Sequence, residues 1–166
     1  MNRSNAVRNM LATLAAAGLG LACLSANAFE LRGFRGVSWG ATSAQLGPAN
    51  VVSSSGDVSC YKRERENMLF GDSPISEVRY CFHRDRMYMV AVDSPADSAA
   101  LVAEFQRTYG PPHARQSKVV AWGGKSTPAR AELVSSAAGR SASVLTIYSN
   151  KYDPAMARTL AARSDL

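Results

Sequence analysis

The stretch from Ile75 to Asp93, ISEVRYCFH-RD-RMYMVAVD, decides the fold. In its first nine residues Val78, Tyr80 and Phe82 fall on one side and Arg79, Cys81 and His83 on the other, the period of a half-buried strand. Arg84-Asp85 marks a tight turn. Residues 86–93 are apolar on both sides, as in a strand at the centre of a sheet. The segment therefore predicts an antiparallel hairpin whose outgoing arm lies nearer the middle.

Upstream, Cys60 and Cys81 are symmetric about Phe70/Gly71, and Phe70-Gly71-Asp72-Ser73 is a turn signal. If residues 58–66 (VSCYKRERE) form a strand folded back on 75–83 at that turn, the two cysteines face each other closely enough to bridge. Redox-active pairs usually sit two residues apart at a helix start, so this spacing predicts a structural disulfide.

Further upstream, residues 31–40 predict a short extended arm packed by Phe34, Val37 and Trp39. Residues 42–47 predict a short helix capped by Thr42 or Ser43. Pro48 to Gly56 reads as loop. Downstream, Ser94-Pro95-Ala96-Asp97 announces a helix with Ala100, Leu101, Phe105 and Tyr109 at helical spacing, stopped by Gly110-Pro111-Pro112. Strands are expected at 117–122, 130–136 and 143–149, with turns at Gly123-Gly124 and Ala138-Gly139-Arg140. Asp153 or Pro154 opens a last helix over 154–163. The expected class is α+β: a two-layer antiparallel sheet with helices on one face, in an order that allows a tandem α-β-β-β repeat.

The N-terminus reads as a secretory signal peptide: Arg3 and Arg8, an apolar run from Met10 to Leu24, then Ser25-Ala26-Asn27-Ala28. Cleavage after Ala28 would leave residues 29–166 as a single domain in the periplasm or beyond, with no transmembrane segment. It would also lower the formal charge from +6 to +4 by removing Arg3 and Arg8. Cys23 would be discarded with the leader; its competing fate is lipidation, for which Gly20 stands where the lipoprotein pattern has Leu. Charges of both signs are interspersed, which argues against a nucleic-acid-binding tail.

Motifs that could carry chemistry lack their context. Gly36-Val37-Ser38-Trp39-Gly40 matches the hydrolase elbow, but that chemistry needs a strand-to-helix turn and a carboxylate-oriented His, here His83 or His113. Ser59-x-x-Lys62 lies on a predicted strand, where residues three apart point to opposite faces. His83 and His113 are too far apart in sequence to suggest a metal site, and no cofactor motif is present. Glu64 and Glu66 are interleaved with Lys62, Arg63 and Arg65, as on a solvated edge. Gly123-Gly124-Lys125-Ser126-Thr127 lacks the first Gly of a phosphate loop. The candidate interaction surface is a basic, aromatic patch: Tyr61, Arg63, Arg65, His83, Arg84, Arg86 and Tyr88. Tyr and Arg dominate binding hot spots.

Phe34-x-Gly36-Val37-x-Trp39-Gly40-Ala41-x-Ser43, Tyr80-x-Phe82, Tyr88-x-Val90 and Tyr109-Gly110-Pro111-Pro112 together resemble a class of small exported bacterial domains of unknown function. The doubled helix-plus-three-strand order is similar to the beta-lactamase inhibitory protein fold and, more loosely, to small lipoproteins of the outer-membrane assembly machine. These resemblances imply protein binding across a concave sheet. The expectation is a non-catalytic periplasmic interaction module of inhibitor, immunity or envelope-assembly type, with a protein partner in the cell envelope. The alternatives are a small envelope hydrolase and a binder of a small ligand or anionic envelope polymer.

Overall fold

The computed structural model describes residues 29–95, 98–135, 143–156 and 158. The predicted leader, Cys23, Ala96 and Asp97 ahead of the helix, the turn at 138–140 and the end of the last helix lie outside the described residues.

The hairpin expected over Ile75–Asp93 is present. β7 (Glu77–His83) and β8 (Arg86–Ser94) pair antiparallel. Val78, Tyr80 and Phe82 are buried beside Val92, Val90 and Met87. The turn holds Arg84 and Asp85 at φ 49° and 55°. Left-handed backbone at both central residues is the twist-matched two-residue hairpin turn, normally built with Asn and Gly. β4 (Val58–Arg63) pairs with β7 in the expected register, Cys60 opposite Cys81, and the two are disulfide-bonded. Between them β5 (Leu69–Phe70) and β6 (Ser73–Pro74) form a small hairpin around Gly71-Asp72.

β4 and β7–β8 belong to one eight-stranded antiparallel sheet. Its other members are β3 (Ala49–Ser55), β9 (Ala114–Gln116), β10 (Val119–Gly123), β11 (Ala129–Ser135) and β12 (Ser143–Ser149), in the order β3-β4-β7-β8-β12-β11-β10-β9. The class is α+β, with corrections. Residues 48–56 are not a loop: β3 is an edge strand whose residues are nearly all exposed, so it has no alternating burial for a sequence to display. The run at 117–122 begins as a turn at Ser117-Lys118 and gains a further edge strand, β9. Four sheet strands, not three, thus follow each of the two leading helices.

Those helices are a 3₁₀ turn at Ser43–Leu46, capped by Thr42, and α1 (Ser98–Tyr109). α1 buries Leu101, Val102 and Phe105; Ala100, expected on that stripe, faces solvent and Val102 takes its place. The stripe joins one continuous core with Val90, Val92, Trp122, Leu133, Leu145 and Ile147. Gly110 ends the helix at φ 87°, and its carbonyl accepts the Trp122 Nε1–H at 3.0 Å. The arm is a hairpin of β1 (Gly33–Phe34) and β2 (Val37–Ser38) that seats Phe34 and Val37 in the same core. The last helix starts as expected: Asp153 Oδ1 accepts the Ala155 N–H and Pro154 takes the first helical position.

Gly40 is a point of close approach. Its φ is 81°, its N–H bonds the Met87 carbonyl at 2.8 Å, and a Cβ there would lie 2.3 Å from the Tyr152 ring. Gly40→Ala combines left-handed strain with that clash and is expected to lower stability by about 2 kcal/mol. A urea titration against wild type reads the difference.

Candidate functional site

Strand alternation gives the sheet two faces. The buried residues of β7, β8, β10, β11 and β12 point to the core. The second face is set by the pairing register. Cys60, Cys81, Met89, Tyr148 and Arg130 form one row across β4, β7, β8, β12 and β11. Val119, Val134 and Val144 form another across β10, β11 and β12. Val119 and Val134 remain 37% and 42% exposed, high for valines side by side in a sheet.

A bulge in β8 widens the aromatic part of this face. Cys81 pairs with Met89 but Phe82 pairs with Met87, so Tyr88 is the extra residue. A bulge re-aims a side chain. Tyr88 and Met89 lie together on the second face, between core-facing Met87 and Val90, and the Tyr88 ring meets His83 edge-on at 6.5 Å. Arg130 stacks over Tyr148 at 4.5 Å and pairs with buried Asp153, which anchors the last helical turn to this face. Burial lifts the phenols of Tyr88 and Tyr148 above their ordinary range, helped by Asp153 at Tyr88 and Glu132 at Tyr148, so both remain protonated donors at neutral pH. Opposite the valines the face becomes ionic: Lys62 pairs with Glu77 at 2.7 Å, and Arg79 reaches both Glu77 and Asp93. Between the aromatic row and the valine row the register places Ala121, Glu132, Thr146, Ala91 and Arg79, so the face carries two apolar strips with the charges of Glu132 and Arg79 between them.

The sequence-derived surface residues do not all meet. His83 and Tyr88 lie on the second face. Arg84 is at the β7–β8 turn, and Arg86, at the start of β8, donates to the Gly40 carbonyl at 3.1 Å. Tyr61 and Arg63 point the other way. The Tyr61 ring packs edge-on against Phe82 at 5.4 Å, and Arg63 lies 5.0 Å over the Tyr80 ring and donates to the Leu46 and Arg35 carbonyls. Arg65 is exposed in the turn after β4. The cysteine register already implied this split, because if Cys60 faces Cys81 then Tyr61 faces core-side Tyr80. Met89, Val119, Val134 and Val144 were missed; extending the register through β12, β11 and β10 finds them, whereas no sequence signal marks the bulge at Tyr88.

On the core side Tyr80 donates to Glu66 at 2.8 Å, and Glu66 in turn pairs with Arg35 at 2.7 Å. Burial first, then the bond to Glu66, pushes the Tyr80 phenol far above its usual range, so it acts as a fixed donor. The network fastens the β1–β2 turn to the end of β4.

The Gly36–Gly40 segment contains a hairpin turn, with Arg35 and Gly36 at φ 47° and 81°, not a strand-to-helix elbow, and Ser38 is exposed. Ser59 and Lys62 alternate on β4 as expected for a strand. Among the described residues no group of three or more His, Cys, Asp or Glu could hold a metal ion, and no helix is long and apolar enough to cross a membrane.

Two hairpin turns meet at one end of the second face. Arg84 donates its backbone N–H to the Asp57 carbonyl at 2.8 Å and its Nε to Asp57 Oδ2 at 2.7 Å, which holds the Asp57 carboxyl below its ordinary range. Asp85 accepts the Ser43 N–H at 2.8 Å, and that bond holds its carboxyl below the ordinary range as well. Its contribution to folding is therefore complete above the ordinary carboxylate pKa and is lost as pH falls through the lowered one. Left-handed backbone costs a non-glycine residue roughly 1 kcal/mol. Asp85 has its capping bond in return. The Arg84 side chain has only an ion pair with both partners largely in solvent, the kind that contributes little, beside the backbone bond to the Asp57 carbonyl.

No protein family, curated protein or solved structure matches the chain.

Proposed function

We propose that this protein is a non-catalytic interaction module of the bacterial periplasm, of inhibitor, immunity or envelope-assembly type, that binds a protein partner on the second face of its sheet. The observation that carries this reading is the pair of apolar strips on the second face, Tyr88, Met89 and Tyr148 in one and Val144, Val134 and Val119 in the other, on strands paired on both sides. Preorganised aromatic and apolar side chains gain affinity because little conformational freedom is lost on binding. The Cys60–Cys81 bridge suits an oxidising compartment, as does the signal-like N-terminus.

We read the architecture in the same sense: two layers, with α1 and the 3₁₀ turn covering one face, built from two helix-plus-meander units whose last strands, β8 and β12, join at the centre. The hydrolase alternative rested on Ser38, whose hairpin setting does not supply the geometry that chemistry needs.

The test is capture from envelope extract by immobilised wild type, Val134→Lys and Tyr148→Ala. A stoichiometric partner is expected on wild type, with retention about tenfold weaker on either variant. Val134 is exposed enough for the lysine to leave folding nearly unchanged. Equal retention by all three, or an empty wild-type column, overturns the reading.

A further inference from the structure

We propose a second, separate site: the cleft between the β3–β4 turn, the β7–β8 turn and the last helical turn binds a small organic oxyanion, a phosphomonoester or carboxylate with an apolar portion. Its volume is 660 Å³, within the range of small-molecule sites, and its walls include Asp57, Val58, His83, Arg84, Pro154 and Arg158.

Two observations converge on an anion. First, the cleft carries a net positive charge, since two arginines face one carboxylate and that carboxylate is already paired with Arg84. Second, both guanidinium groups are held by Nε alone, Arg84 on Asp57 and Arg158 on the Pro154 carbonyl. Among the described residues nothing takes up their Nη groups, the ends that grip phosphate and carboxylate bidentately. Val58 and Pro154 supply the apolar wall.

This site does not rest on the partner-binding reading, and its variants leave the Val119–Val134–Val144 row untouched. The experiment is a titration of ¹⁵N-labelled protein, expressed with its own N-terminal segment, followed by amide shifts. The probes are phenyl phosphate, benzoate, inorganic phosphate and, as the neutral control, phenol. Saturable shifts at Gly56, Val58 and Arg84 are expected with phenyl phosphate or benzoate, and the tighter of the two identifies the anion. Inorganic phosphate should bind more weakly and phenol not at all. Arg84→Gly relieves backbone strain, so it folds, and with Arg158→Gln it should weaken binding at least about fivefold each. Raising salt should weaken it further. Shifts that do not saturate, that map elsewhere, that phenol reproduces, or that persist unchanged in both variants overturn the proposal. It is also overturned if inorganic phosphate shifts the same amides as strongly as phenyl phosphate and benzoate, because the cleft then takes up an adventitious ion only.

Discussion

Replacing Phe105 by alanine is expected to cost about 4 kcal/mol of folding free energy. Phe105 is fully buried and meets four rings, Tyr109 of its own helix at 4.6 Å and, from three other segments, Phe29 at 6.0 Å, Phe70 at 5.8 Å and Trp122 at 4.7 Å. The helix, the N-terminal arm, the β5–β6 hairpin and the sheet converge on this side chain. No single neighbour can collapse into the space it leaves, so the cavity persists and the loss lies toward the high end for such changes. A domain of this size has about 5–15 kcal/mol in total, so the variant should unfold at low urea with an unchanged slope. Phe105→Leu keeps most of the volume and should lose less than half as much. A midpoint shift below about 1 kcal/mol for the alanine variant would show that the core is not centred there.

Removing the Cys60–Cys81 bridge is expected to cost about 3 kcal/mol. The cross-link closes a loop with a sequence separation of 21, and its main effect is to restrict the unfolded chain. The double variant Cys60→Ser/Cys81→Ser should melt roughly 10 °C below wild type, and reductant should lower wild type by the same amount while leaving the variant unmoved. The native fold should persist, because β4 and β7 keep their ladder on either side of the bridge. Equal melting of wild type with and without reductant would contradict this.

The centre of this molecule was legible in its sequence and the periphery was not. Ile75–Asp93 announced its strands because one face of β7 and both faces of β8 are buried, so burial imposes a pattern on residue choice. The cysteine register was legible because a covalent bond fixes two positions at once. β3 escaped notice because nearly every residue is exposed, and Ala49-Asn50-Val51-Val52-Ser53-Ser54-Ser55 has no burial to encode. β9 is three residues long, too short for any period to show.

For the candidate surface the failure was one of assembly. Residues close in sequence were grouped by type, which placed Tyr61 and Arg63 with His83 although strand alternation separates them. The patch on the second face draws on β8, β10, β11 and β12, and its membership depends on pairings that only the assembled sheet defines. The cleft is harder still to foresee: its walls come from two hairpin turns and a helix start, none of which points to the others in sequence.

The sheet order also dictates a sequence of events in time. Strand β8 is finished at Ser94, but the strand that completes its second ladder begins at Ser143, its in-register partner. A chain emerging from its N-terminus can zip β3, β4, β7 and β8 from neighbouring segments, yet the far side of β8 stays bare, with Val90, Ala91 and Val92 offering unpaired backbone. The molecule is thus most vulnerable to sticking to its own kind when it is more than half made. The seal arrives with one of its last segments, so a truncation before residue 143 removes not a peripheral strand but the closure of the sheet's middle, and what remains is a template for aggregation rather than a smaller domain.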